Sequence, residues 1–325
     1  MTSACVTRAI ALAALLLGAC AQAPGGDFSF ALIGDLGYTA AQEPMVDRVL
    51  ESINAETLAF VVHDGDLGAP RNGSCTNELW ARRLAQFQAS RHPLVYTPGD
   101  NEWTDCHAGE VAGYEPLERL AALRRTFFAT GHSLGQRPLP LTRQAGYPEN
   151  ARWSMGDVTF LTLHVVGSNN NRGRTAEGDA EYAARTAADI AWMRAGFAAA
   201  RASGSRAVMI VQQANIFPQF PPFPGGKPKE PSGFTEVREA LEREAAAFRR
   251  PVVLVHGDSH YFRIDKPVRR ASDNAGVPSL ENFTRVETFG APNHHWVQVV
   301  VSRDDPSVFT FHPRIVEANV QPGSQ

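Results

Sequence analysis

The sequence predicts an α/β protein. Compact apolar runs alternate with amphipathic helical stretches along most of the chain. Three of those runs end in a glycine–aspartate turn, and a fourth ends in His256-Gly257-Asp258-Ser259-His260. The later part, over 286–311, holds β-like runs with no helix between them. The pattern reads as alternating β and α with an antiparallel ending.

In order, the run 28–33 predicts a buried strand that closes at Gly34-Asp35-Leu36-Gly37. Val46, Val49, Leu50 and Ile53 share one face of a helix over 44–55. The run 58–63 predicts a second strand, ending at Asp64-Gly65-Asp66. A helix over 79–89 leads to a third strand over 93–97, which ends at Gly99-Asp100-Asn101-Glu102. Residues 116–128 predict a helix, and 138–150, with several prolines, a loop. A strand over 158–166 closes in Gly167-Ser168-Asn169-Asn170-Asn171, followed by an alanine-rich helix over 177–202. The strand 207–211 runs into Gln212-Gln213. The Pro- and Gly-rich stretch 218–231 predicts a surface loop. A helix over 234–248 and a strand over 251–255 lead to the His256–His260 turn.

The chain has 325 residues, 43% of them hydrophobic, enough for a substantial core. Its formal charge of −3 lacks the basic excess of a nucleic-acid binder, so no nucleic acid is expected as a partner. The first residues differ in kind. Arg8 precedes an apolar run over 9–17, too short to span a bilayer as a mature helix. Leu17-Gly18-Ala19-Cys20 resembles the lipobox of bacterial lipoproteins. That resemblance implies a signal peptide over 1–19, a lipid on Cys20 and a tether over 20–26. It places the protein at the periplasmic side of a bacterial cell envelope, anchored to the membrane by lipid. An ordinary secretory signal is the alternative. Cys75 and Cys106 then remain as an even pair in an exported chain, which favours a disulfide over a metal role.

Asp35, Asp66 and Asp100 each follow a glycine at a strand end, where open α/β sheets place their ligands. Asp258 and His260 join them from the fourth turn. Carboxylates gathered at one edge repel one another and need protons or a cation. Carboxylates with one or two imidazoles make a cage for a divalent metal.

The order of these motifs resembles the calcineurin-like metallophosphoesterases, which include the purple acid phosphatases. The residues that carry the likeness are Gly34-Asp35, Gly65-Asp66, Gly99-Asp100-Asn101-Glu102, Gln212-Gln213 and Gly257-Asp258-Ser259-His260. The resemblance implies a four-layer α/β/β/α metallophosphoesterase sandwich over 27–325. It also implies metal-dependent hydrolysis of a small-molecule phosphate ester. By position, a first ion would use Asp35, Asp66 and His260, and a second Asp66, Asp100, Gln213 and Asp258. The family sets its two metals about 3.5–4 Å apart.

The chain departs from the family pattern. Gly37 stands where many members have a histidine, with Tyr38 next to it, near where purple acid phosphatases use a tyrosine ligand. Asp100 replaces a metal-binding asparagine, Asp258 a histidine, and Gln213 the histidine of the fourth motif. Oxygen-rich ligands favour Mn²⁺, Mg²⁺ or Ca²⁺, with Fe and Zn as alternatives. Asn101 takes the place of the catalytic histidine. It can bond a phosphate oxygen but delivers no proton at neutral pH, and positioned proton transfer contributes roughly 10²–10⁴-fold. His63, His107 and His164 are candidates to supply the proton, with His164 preferred beside the Asn-rich turn. His294, His295, Asp64, Glu102 and Asp105 read as structural residues, and Asn169 to Asn171 as a polar turn.

Two rivals remain. One is a non-catalytic relative that binds metal or phosphate at the envelope. The other is a serine esterase, which would need a G-x-S-x-G nucleophile elbow, and none is expected.

Overall fold

The computed structural model describes residues 26–107, 113–217, 231–268 and 280–320. The signal peptide, Cys20 and most of the 218–231 loop lie outside the described residues. In chain order the strands are β1 (Phe28–Ile33), β2 (Val61–His63), β3 (Leu94–Tyr96), β4 (Thr142–Gln144), β5 (Tyr147–Met155) and β6 (Val158–Thr162). They continue with β7 (Ala207–Val211), β8 (Val252–His256), β9 (Arg263–Asp265), β10 (Phe283–Glu287), β11 (Trp296–Val301) and β12 (Phe309–Arg314). The helices used below are α1 (Glu43–Ala55), α2 (Asn77–Gln88), α3 (Pro116–Phe127), α4 (Ala176–Ala202) and α5 (Thr235–Phe248).

The strands form two sheets, ordered β12-β11-β1-β2-β3 and β4-β5-β6-β7-β8-β10-β9. β1, β2 and β3 are parallel, as are β6, β7, β8 and β10. Strands β11 and β12 extend the first sheet antiparallel, as the tail predicted.

Alternation along the strands builds the layers. Phe30 and Leu32 of β1 point into a core shared with Met209 and Val211 of β7, between the two sheets. Their neighbours Ala31 and Ile33 face Val49, Ile53, Trp80 and Leu123 of α1, α2 and α3. Across the molecule, Val208 and Ile210 face Met193 and Phe197 of α4 and Leu241 of α5. Successive side chains of a strand point to opposite faces, so each sheet is apolar on both sides and its central strands read as unbroken apolar runs. The result is four layers, α/β/β/α, which is the fold the resemblance implied. Phe30 ties the middle together, stacked on Phe60 at 4.5 Å and edge-on to Phe160 at 5.5 Å.

One element departs from expectation. The segment predicted as a loop over 138–150 contains β4 and the start of β5, paired antiparallel beside β6. Gly146 turns the hairpin at φ 81°. Buried Glu149 and Asn150 spoil the apolar alternation that would announce β5. Their polar groups are satisfied by partners from distant segments: Arg124 and His164 for Glu149, Asp189 for Asn150.

Candidate metal centre

The parallel strands of both sheets aim their carboxyl ends at one place. Asp35 follows β1, Asp66 follows β2, and Asp100 and Asn101 follow β3. From the second sheet come Gln213 after β7, then Asp258 and His260 after β8. The two edges are stitched together by the Asp258 N–H, which donates to Asp35 at 3.1–3.2 Å.

The local backbone is unusual in the same residues. Asp35, Asp66, Asp258 and His260 have φ of 52°, 57°, 73° and 59°. Non-glycine residues rarely occupy this left-handed region, and such strain persists where the surroundings enforce it. Glycines make the room. A Cβ on Gly257 would stand 1.8 Å from Asp35 Oδ2, one on Gly99 2.0 Å from Asp66 Oδ1, and one on Gly34 1.5 Å from Asp64 Oδ1. The glycines of the Gly–Asp turns therefore act as the floor on which carboxylates lie.

Among the described residues, Asp35, Asp66 and His260 offer ligand atoms that all lie within 4.8 Å of one another. His260 Nε2 is 3.2 Å from Asp35 Oδ1. Its Nδ1 sits 2.6 Å from the Ala291 carbonyl, which takes the Nδ1 proton and turns Nε2 toward the carboxylates. Tyr38 sits at the middle of the cluster. Its hydroxyl donates to Asp66 Oδ2 at 2.6 Å, lies 3.2 Å from Asp35 Oδ1 and 3.1 Å from His260 Nε2, and accepts from Asn101 Nδ2 at 2.9 Å. Sequence reading noted Tyr38 without placing it among the site residues. The signal was its closeness to Asp35, and the α/β turn after β1 is what brings it back.

Charge and burial act together here. Burial raises the carboxyl of Asp66 well above the usual range, and Asp100, Glu102 and Asp35 raise it further. Asp100 is raised by burial, then by Asp105 and Asp258. Asp258 is pushed up to about 6 by burial and by Asp35. Burial alone would lower the His260 imidazole, but its bond to Asp35 outweighs that and holds it up at about 9. Carboxylates so crowded and so dry take up either protons or a cation. The donor set of two carboxylates, one oriented imidazole and a phenol oxygen fits a divalent metal ion.

Asn101 belongs to the cluster. Its Nδ2 donates to Tyr38 and, at 2.9 Å, to Asp66 Oδ2, while its N–H donates to Asp66 Oδ1 at 3.2 Å. The loop that carries it is clamped from behind. Cys75 and Cys106 form a disulfide. Both sulfurs lie 3.6–3.7 Å from the Asn101 carbonyl, which also accepts from Ser74 Oγ at 2.6 Å.

Two expectations need correction. Gln213 reaches the cluster but turns the wrong atom to it. Its Oε1 accepts the Gly167 N–H at 2.6 Å, so its NH₂ faces Asp100 Oδ1 at 3.0 Å and Asp258 Oδ1 at 3.4 Å. An amide NH₂ donates and cannot ligate a metal. His164 is fully buried, with Nδ1 on Glu149 at 2.8 Å and its ring against Trp103. A ring sealed in this way has no route to a substrate oxygen, so it is a structural partner of Glu149.

The other histidines also have structural partners. Buried His63 accepts the Gly65 N–H, packs on Phe87 and Tyr96, and is lowered to about 3 by desolvation and by Arg83. His107 is bonded to the Thr104 carbonyl, and His294 accepts the Gly37 N–H. Asp64 accepts from Thr288 Oγ1 at 2.8 Å. Glu102 accepts from the Leu67 and Gly99 N–H groups and braces the turns after β2 and β3.

The string G-x-S-x-G does occur, as Gly131-His132-Ser133-Leu134-Gly135, contrary to expectation. The structure shows that it is no nucleophile elbow. It lies between α3 and β4, in a segment bridged to Leu94 and Pro140, and not at a strand-to-helix turn. Ser133 is buried, with its hydroxyl donating to the Leu134 carbonyl and accepting the Leu139 N–H.

No protein-family model matches the chain, and no curated protein matches it. Among solved structures it is similar to a 5′-nucleotidase from Candida albicans, at 11% identity and a TM-score of 0.47. That match covers 89% of this chain and 51% of the other, so the chain spans about half the length of that protein. It is also similar to a Vps29 single mutant from Entamoeba histolytica, at 10% identity and a TM-score of 0.31, covering 88% and 97% of the two chains. At these identities and scores the likenesses carry no inference about chemistry.

Proposed function

We propose that the protein is a metal-dependent phosphoesterase of the calcineurin-like kind, acting on a small-molecule phosphate ester. The observation that carries this reading is the convergence of Asp35, Asp66 and His260 on one point. A divalent ion held there would lower the pKa of a ligated water and offset charge on the phosphoryl group. Asp35 and Asp66 supply the anionic oxygens, and the Ala291 carbonyl keeps His260 Nε2 aimed at them. Burial and the flanking Asp66 and Asp35 raise the Tyr38 phenol well above its usual range, so it stays protonated at neutral pH. Asn101 Nδ2 donates within the cluster and holds no transferable proton. Among the described residues no imidazole takes up the missing acid's role, which favours substrates whose leaving group needs no protonation.

That same feature favours a second reading, a protein of this fold that binds metal or phosphate without turnover. The membrane-facing part of the reading rests on Cys20 and the run before it, with the Cys75–Cys106 disulfide as support for an oxidising compartment. No described helix is long and apolar enough to cross a membrane.

The test strips the protein of metal, then measures hydrolysis of phosphomonoesters and diesters with added Mn²⁺, Mg²⁺ or Ca²⁺. Activity that needs the metal and is lost in Asp66→Asn supports the phosphoesterase. Silence with all three metals beside measurable phosphate binding supports the second reading.

A further inference from the structure

We propose that the centre holds a single divalent ion, because the Gln213 amide occupies the place a second would take. This deepens the phosphoesterase reading and rests on it. The residues that the resemblance assigns to a second ion are Asp66, Asp100, Gln213 and Asp258. Each is already hydrogen-bonded within the protein. One NH₂ group, Gln213 Nε2, reaches both Asp100 Oδ1 at 3.0 Å and Asp258 Oδ1 at 3.4 Å. It can give one hydrogen to each carboxylate, so it bridges the pair as a cation would, by its dipole.

The amide cannot turn round without loss. Gly167 N–H donates to Gln213 Oε1 at 2.6 Å. A flip would set NH₂ against N–H and set the carbonyl oxygen against two carboxylates. Nor can the side chain swing away. Gln213 is fully buried, its carbonyl accepts the Gly257 N–H at 3.1 Å, and its Cβ and Cγ fill the space over Gly65 that any side chain there would need. Asp258 Oδ2 accepts the Asn215 N–H at 3.2 Å, which leaves that carboxylate bonded at both oxygens.

Asp66 is not open for a bridge that uses both of its oxygens. Asp66 Oδ1 accepts the Asn101 N–H at 3.2 Å and lies over Gly99, so only Oδ2 faces the Asp35–His260 side. The geometry thus presents one cage of mixed oxygen and nitrogen donors, beside a carboxylate pair already bridged by an amide.

The full-length protein, cleared of metal by a chelator, would be titrated with Mn²⁺. Bound metal per chain would be counted by elemental analysis after desalting, and electron paramagnetic resonance would distinguish an isolated ion from a coupled pair. The wild type should bind one ion per chain and give an isolated-ion spectrum. Gln213→Glu replaces the donor with a ligand and should bind two, with a coupled spectrum. Gln213→His serves as a second variant of the same prediction should the first fail to fold. Two ions in the wild type would overturn the proposal and leave the phosphoesterase reading standing. One ion in a folded Gln213→Glu or Gln213→His protein would overturn the role given to the amide. No bound ion in any of them would remove both.

Discussion

Replacing Gly257 with alanine should cripple the centre while leaving the layers around it intact. The added Cβ would stand 1.8 Å from Asp35 Oδ2 and 3.2 Å from Asp64 Oδ1. Asp35 has nowhere to retreat. It is fully buried, its N–H donates to the Gly65 carbonyl at 3.0 Å, and its carbonyl accepts the Ala291 N–H at 2.9 Å. Either the carboxylate rotates out or the turn after β8 lifts. Both break the Asp258 N–H bond to Asp35. A hydrogen bond to a charged group contributes roughly 1.5–3 kcal/mol. Overpacking a tight site costs a further ~1–3 kcal/mol. The expected loss is about 2.5–6 kcal/mol, a large fraction of the roughly 5–15 kcal/mol that holds a typical protein folded. Mn²⁺ affinity should fall by more than the roughly 10–100-fold that disturbing an outer-shell partner costs, because a ligand itself is displaced. Urea unfolding and Mn²⁺ titration read the two effects. Gly131→Ala is the control, since a Cβ there meets nothing within 4 Å. A Gly257→Ala protein within about 0.5 kcal/mol of its parent, with unchanged Mn²⁺ affinity, would refute the reasoning.

Removing the disulfide as Cys75→Ser with Cys106→Ser should cost about 3–4 kcal/mol, because the bridge closes a sequence separation of 31 residues. It should also weaken Mn²⁺ binding by freeing the Asn101 loop, and a variant with wild-type stability and affinity would contradict that link. Buried Glu149 gives a pH prediction. Burial raises its carboxyl, but His164 and Arg124 together outweigh that and hold it down at about 2, against an ordinary value of 4.5. Its stabilisation is therefore complete above about pH 4.5 and is lost as pH falls toward 2, with an upper size of about 3 kcal/mol. The stability gap between wild type and Glu149→Gln, measured in urea, should shrink as the pH is lowered through this window. A gap that stays constant from pH 7 to 3 would show that the ion pairing of Glu149 is not what matters.

Strand-end turns were legible in the sequence because their cause is local. An apolar run followed by Gly-Asp makes a buried strand and a tight turn, whichever partners lie across from it. Asp35, Asp66, Asp258 and His260 could therefore be picked out before the fold was known, and the structure gathers them at one edge. The edge hairpin β4–β5 was not legible, because its inward residues Glu149 and Asn150 are polar and draw their partners from α3 and α4. Periodicity detects apolar faces and is blind to a polar one that is satisfied at long range.

Sequence alone also read the alternating α/β class and favoured a disulfide between Cys75 and Cys106, which the structure forms. Tertiary structure decided the rest: that the Tyr38 hydroxyl stands between Asp35, Asp66 and His260, that His164 is sealed against Glu149, and that Gln213 shows the acidic pair its NH₂ and not its oxygen. The residue type states which atoms a side chain carries. Which of them faces the site depends on neighbours far away in the chain, here the N–H of Gly167, 46 residues from the amide it orients.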